Sequence, residues 1–210
     1  MFITLEGIEG AGKSCQIKNI VAFLEARGYD CVTSREPGGT PIGAQIRGVL
    51  LDPVNKDMDA GTELLLYVAD RVQHIRTFIQ PHLMAGRVVV CDRFFDATLV
   101  YQGYARGLDK DLIRRLHQQV CDNLQPDATF LFDVAPAVGL GRAWRQIDNG
   151  GRTGRESRFE QEVLAFHQKV RDGYLDLARR EPHRFHMIDA AQDIESVRRS
   201  VEQVLARLFS

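Results

Sequence analysis

Long apolar runs, paired cysteines and a net charge are what this sequence lacks. No apolar stretch approaches the roughly 20 residues of a membrane helix, so no spanning segment is expected. The 27 Lys+Arg and 28 Asp+Glu leave a formal net charge of −1, which argues against a protein that coats nucleic acid. The four cysteines, Cys15, Cys31, Cys91 and Cys121, form no C-x-x-C pair and have no histidine cluster beside them. Buried reduced thiols are expected rather than disulfides or a zinc site. The six histidines (His74, His82, His117, His167, His183 and His186) show no ligand spacing either. His183 and His186 flank Phe185 at the start of an expected strand and read as surface residues. With a strand starting directly at the N-terminus, no signal peptide is expected, and the cytoplasm is the expected location.

What is there begins with an ordinary globular composition, 44% hydrophobic and 26% charged, on a length of 210 residues that suits one core. One domain over residues 1–210 is expected. It is organised around Gly7-Ile8-Glu9-Gly10-Ala11-Gly12-Lys13-Ser14, which fits G-x-x-x-x-G-K-[ST], the phosphate-binding loop of P-loop NTPases. Its context fits too. Residues 2–6 are an apolar, β-prone run. Residues 13–27 carry Ile17, Ile20, Val21 and Leu24 at helical spacing, with Gly28 where a helix C-cap glycine belongs. Glycines let the backbone wrap a phosphate closely, and the loop amides and helix N-terminus point at the anion. Lys13 offers a positive charge to the outer phosphates and Ser14 a hydroxyl to Mg²⁺.

Strands are expected at 29–34, 87–92, 129–133 and 185–188. The helical stretches expected between and after them are 40–51, with Thr40 as cap and Pro41 at the first position, and 59–85, kinked or restarted at Pro81. Further helices are expected at 96–102, 109–124 and 136–147, then from 157 to 180, and last after the cap Asp193. Alternating strands and helices specify an α/β fold of three layers: a five-stranded parallel sheet with helices on both faces. Its ligand edge lies at the strand C-terminal ends, where Glu6, Arg35, Asp92, Asp133 and Asp189 fall. A glycine- and arginine-rich stretch, about 148–157, reads as a short lid.

Two classes of function compete. A GTPase switch needs D-x-x-G directly after a strand and a guanine-reading N-K-x-D. Asn55-Lys56-Asp57-Met58 misses the last position, and Asp148-Asn149-Gly150-Gly151 follows a helix. A phosphoryl-transfer enzyme fits better. Arg35, Arg47, Arg71 and Arg93 fall near the expected ligand edge, and guanidinium clamps phosphate oxygens in pairs. Arg142, Arg145, Arg152, Arg155 and Arg158 surround the lid.

The chain resembles the bacterial thymidylate kinases over essentially its whole length. The resemblance rests on the phosphate loop and on Arg35-Glu36-Pro37-Gly38-Gly39-Thr40, Tyr67-Val68-Ala69-Asp70-Arg71, Cys91-Asp92-Arg93-Phe94 and Thr98-Leu99-Val100-Tyr101-Gln102-Gly103. It implies transfer of the γ-phosphoryl group of ATP to thymidine 5′-monophosphate with Mg²⁺, by a homodimer that needs no nucleic acid or membrane. Another nucleoside monophosphate kinase of this fold is the alternative. The resemblance implies that ATP meets Gly7, Ile8, Glu9, Gly10, Ala11, Gly12, Lys13, Ser14, Cys15 and Arg142. Tyr67 stands where an aromatic stacks on thymine, and Arg71 where an arginine donates to O4. Thr98 and Gln102 stand where side chains reach the base, and Tyr101 where a tyrosine crowds the sugar 2′ position. Glu36, Arg47 and Arg93 stand where the acceptor's sugar and phosphate are held. Lys13, Arg93, Glu9, Arg152 and Arg155 are the implied catalytic set, and Ser14 and Asp92 the implied metal set.

Three positions depart from the family pattern. Cys15 stands where threonine is usual. The lid holds Gly150, Gly151 and Gly154 and looks looser than usual. The family's D-R-[FIY]-E is Ser157-Arg158-Phe159-Glu160 here, which keeps a capping box for the helix expected to follow and drops one negative charge.

Overall fold

The computed structural model describes residues 1–149 and 156–209. At its centre is β1 (Phe2–Glu6), buried at all five positions. Two parallel neighbours flank it, β3 (Val88–Asp92) and β4 (Ala128–Asp133). The outer strands are β2 (Cys31–Arg35) and β5 (Phe185–Asp189), giving the order β2-β3-β1-β4-β5. Strands covered on both faces read as unbroken apolar runs, and Val88-Val89-Val90-Cys91 and Phe130-Leu131-Phe132 do so. Register aligns the strand ends on one edge: Leu5 faces Asp92, Arg35 faces Asp92, and Asp133 faces Asp189. The chain leaves β1 toward β2 on one side and later returns to β4 on the other. The loop after β1 therefore sits in the crevice where ligands of open α/β sheets bind.

Helices surround the sheet. α1 (Lys13–Glu25) packs against β2, β3 and the final helix, α9 (Ile194–Leu208). α2 (Pro41–Leu51) packs on α3 (Ala60–His74). A π turn, Ile75–Ile79, and α4 (Gln80–Met84) continue α3, and the register change falls just before the break expected at Pro81. α5 (Phe95–Thr98), a second π turn at Leu99–Ala105 and α6 (Lys110–Val120) follow β3. α7 (Pro136–Asp148) follows β4, and α8 (Leu164–Arg180) packs on β4, β5 and the second π turn. The expected caps form: Thr40 Oγ1 accepts from Gly43 N at 2.9 Å, and Asp193 accepts from the amides of Glu195 and Ser196.

Three expectations are corrected. The helix expected from Ser157 begins at Leu164. Ser157, Arg158 and Glu160 instead turn inward and are buried, because Arg158 reaches a buried partner on α3 (Glu63, 2.6 Å) that a helix starting at Ser157 does not meet. The second strand starts at Cys31 rather than at 29. Of the cysteines, Cys91 and Cys121 are buried, but Cys31 is half-buried and Cys15 exposed, since α1 turns its Cys15 flank to solvent; all four are free thiols. His183 is exposed as expected, and His186 is half-buried.

Candidate active site

The phosphate loop runs between β1 and α1. Gly7, Gly10 and Gly12 have φ of 138°, 69° and 89°, a region that side-chain-bearing residues rarely enter. Gly10 has a second reason to lack a side chain: a Cβ there would run into the Gly139 carbonyl in the first turn of α7. The N-cap of α1 is Gly12, which has no side chain to occupy the first-turn amides, and the first turn has no acid. Those amides are the anion site expected of a helix N-terminus. Lys13 Nζ donates to Gly7 O at 2.9 Å and Ile8 O at 3.0 Å, so the ammonium is held on its own loop. Burial and the Arg93 guanidinium lower its pKa to about 8, against the pull of Asp92, Glu9 and Glu6. Ser14 Oγ donates to Asp92 Oδ2 at 3.3 Å, which brings the two expected metal ligands together.

Facing the loop, Arg93 follows β3 with φ 68°, an uncommon backbone state for a residue with a Cβ. The side chain is held on three sides. Nη2 donates to Glu9 Oε1 at 2.9 Å, Nη1 donates to the Tyr174 hydroxyl at 3.2 Å, and the guanidinium lies 4.9 Å from the centre of the Tyr101 ring. Tyr101 donates to the same Glu9 oxygen at 2.6 Å, and His167 Nδ1 stands 3.1 Å from Glu9 Oε2. Burial alone would raise the Glu9 pKa. Arg93, His167 and the Tyr101 hydroxyl outweigh burial and hold the carboxyl well below the usual range.

The third wall comes from α3, where Glu63, Tyr67, Asp70, Arg71 and His74 recur at helical spacing and Glu63, Asp70, Arg71 and His74 are fully buried. Arg71 pairs with Glu36, also buried, and Nη2 donates to Thr98 Oγ1 at 2.7 Å. His74 Nδ1 stands 3.4 Å from the other oxygen of Glu36. Asp70 accepts from Gly38 N at 3.1 Å; burial and then the Glu36 carboxylate raise its pKa to about 6. Arg47, on α2, donates to both carboxylate oxygens of Glu156 (3.1 and 2.9 Å) and to Pro37 O. Gln102 Nε2 donates to Glu63 at 2.8 Å.

These walls enclose a cavity of about 340 Å³. The loop from Glu9 to Cys15 lines it, with Glu36, Arg47, Tyr67, Arg71, Asp92, Arg93, Thr98, Tyr101 and Gln102, so most of the expected site is brought together. Gly7 and Ile8 stand behind the loop as the carbonyl partners of Lys13. Arg142 does not line the cavity; it donates to Ala190 O at 2.7 Å and Ala191 O at 3.4 Å, just past β5. Arg152 and Arg155 lie outside the described residues. Glu63, His167 and Tyr174 were not expected. For Glu63 the signal was available, a polar stripe at core spacing along α3. His167 and Tyr174 sit on α8, far from any motif. No cluster of three or more metal-ligating side chains exists among the described residues. The Ser14 hydroxyl and Asp92 carboxylate still suit Mg²⁺, which takes few protein oxygens and completes its shell with water and phosphate.

Residues 5–201 match the family model described as Thymidylate kinase. A thymidylate kinase of Desulfosudis oleivorans is 58% identical over 90% of this chain and 89% of its own. One from Geobacter sulfurreducens is 52% identical over 97% of this chain and 95% of its own. Among solved structures, a crystal structure of thymidylate kinase from Ehrlichia chaffeensis aligns with a TM-score of 0.75 at 36% identity, covering 98% of both chains. With the phosphate loop, the Glu9–Arg93 contact and the α3 wall converging on one cavity, the chain belongs to the thymidylate kinase family.

Proposed function

We propose that the chain transfers the γ-phosphoryl group of ATP to thymidine 5′-monophosphate, giving the diphosphate. The observation that carries this reading is one cavity lined by Lys13 and Ser14, by Arg71, Thr98 and Gln102, and by Glu9 and Arg93. A phosphate donor fits the first pair and a nucleobase the three residues named after it. An oxygen of the acceptor phosphate attacks the γ-phosphorus, and the bond to the ADP oxygen breaks. The attacking oxygen is already anionic, so no strong base is required, and catalysis is positioning and charge neutralisation. Lys13 leaves the Gly7 and Ile8 carbonyls for the outer phosphates of ATP. Arg93 and Arg47 take the acceptor phosphate, and Arg47 gives up Glu156 to do so. Arg71 donates to the base, Tyr67 packs on it and Tyr101 crowds the sugar. Glu36 and Glu9 fix the arginines beside them. Ser14 and Asp92 would hold Mg²⁺, which when bound supplies further neutralisation of phosphate charge. Arg142 is read as an ATP contact, and Arg152 and Arg155 as the lid arginines of the chemical step.

The test is a coupled assay of ADP release across a panel of nucleoside monophosphates. Thymidylate is expected to lead. Cytidylate presents an amino group to the Arg71 donors and should fall by roughly 10⁴ in kcat/KM. Uridylate lacks only the methyl and should fall roughly 10–200-fold. Equal use of cytidylate and thymidylate would sink the base assignment.

We also read residues 1–210 as one kinase domain that acts as a homodimer in the cytoplasm. Ile42 and Val49, one heptad apart on α2, are exposed and support a helix-face contact between copies; light scattering of the purified chain checks it. Among the described residues no helix is long and apolar enough to cross a membrane.

A further inference from the structure

We infer that Glu63 is a positioning residue that sets the base specificity of this site by fixing which end of the Gln102 amide faces the nucleobase. The inference rests on the proposed placement of the base against Arg71 and Gln102.

Glu63 has no exposure to solvent, and its carboxylate accepts from three side chains, Arg158, Arg106 and Gln102. Arg158 Nη2 donates to Oε2 at 2.6 Å, and Arg106 reaches both oxygens at 3.3 Å. Gln102 Nε2 donates to Oε1 at 2.8 Å. A carboxylate held by two guanidinium groups has no proton to give, so only the NH₂ end of the amide can face it. The carbonyl end, Oε1, is thereby left for the cavity that Gln102 lines. It is buried and has no hydrogen-bond partner among the described residues.

Three other buried atoms of this wall share that state: the acceptors Glu36 Oε1, which lies against the Arg71 guanidinium, and Asp70 Oδ2, and a single donor, Nε of Arg71. The wall therefore offers a donor on Arg71 and an acceptor on Gln102. A base with a carbonyl beside a ring N–H, as in thymine or uracil at O4 and N3, matches both. A cytosine, with an amino group beside an unprotonated ring nitrogen, opposes both. A buried acceptor left facing an acceptor loses its hydrogen bond and keeps its desolvation cost. Arg71 alone would read only the C4 substituent. Glu63, which lies behind Gln102, adds the ring nitrogen to what is read.

The test compares kcat/KM for thymidylate and for 5-methyldeoxycytidylate, which keeps the methyl group and differs at C4 and N3 only. In Glu63→Gln the neighbour can accept or donate, so the Gln102 amide is free to turn. The thymidylate preference is expected to shrink at least about tenfold, the scale of one mismatched hydrogen bond. The exchange Glu63→Gln with Gln102→Glu keeps one carboxylate in the pair, and a carboxylate at 102 can only accept. This double variant is expected to restore the preference to within about threefold of wild type. A purely structural role for Glu63 would lower both substrates alike and leave the ratio unmoved, which overturns the inference. If Glu63→Gln does not fold, the exchange variant decides, and a folded exchange variant without the preference overturns it as well. Gln102→Leu separates the two readings. An unchanged ratio in Gln102→Leu means Gln102 does not meet the base, so the underlying placement fails and the inference with it. A reduced ratio there with an unmoved ratio in Glu63→Gln overturns the positioning role alone.

Discussion

Arg93 donates through Nη2 to Oε1 of Glu9 at 2.9 Å, tying the end of β3 to the phosphate loop. In the proposed reaction the pair lies between donor and acceptor phosphates, and Arg93 also holds the Tyr174 hydroxyl through a different nitrogen. A planar fork can serve Glu9, Tyr174 and a phosphate at once, and an ammonium cannot. Arg93→Lys should therefore lower kcat by about 10² or more, in the range seen when one positioned charge is lost from a transition state. Steady-state kinetics with a thermal melt check it. A folded Lys variant with near-normal kcat would remove Arg93 from the chemical step.

Lys13→Ala should abolish turnover while the fold persists. Among the described residues the hydrogen bonds of Lys13 go to two loop carbonyls, which can turn to water when it is gone. The loss in kcat should be on the order of 10³ or more. Near-normal turnover by the purified variant would refute the phosphate-loop assignment.

The buried pair Arg71–Glu36 should show its desolvation. Both side chains are almost wholly inaccessible, at 2% and 1% exposure. Arg71→Met leaves the Glu36 carboxylate buried beside Asp70 and should cost about 3–5 kcal/mol. Arg71→Met with Glu36→Met removes both charges and should cost clearly less than the two single changes summed. Urea denaturation without substrate measures all three; simple additivity would mean that the two charges do not interact.

Asp70 should make stability fall as pH rises. Its folded pKa of about 6 lies above the unfolded value near 3.8, so the folded chain keeps a proton there that the unfolded chain releases. The stabilisation is complete below about pH 4 and is lost as pH passes through about 6. Asp70→Asn keeps an acceptor for Gly38 N and has no charge to bury. Its advantage over wild type should grow from pH 4 to pH 7 by up to about 3 kcal/mol, the scale set by 1.36 kcal/mol per pKa unit. Denaturation midpoints that run parallel over that range would contradict the assignment.

Much of this protein was settled by local chemistry. The phosphate loop declared itself because only glycine tolerates its backbone and only Lys13 and Ser14 follow at the required spacing. The strands β1, β3 and β4 were legible because a strand covered on both faces is mostly apolar, and the caps Thr40 and Asp193 because an orphan amide needs a nearby oxygen. The strand order, β2-β3-β1-β4-β5, was not legible, since apolar strands carry no label for their neighbours. Nor was the burial of Ser157 and Arg158, where a long-range ion pair with Glu63 overrode a good capping sequence. Tertiary structure alone decided that Glu9 meets His167 and that Glu63 meets Gln102, Arg106 and Arg158. These contacts span 39 to 158 positions of chain, and only the packing of α3, α8 and the second π turn around one cavity brings such distant side chains together.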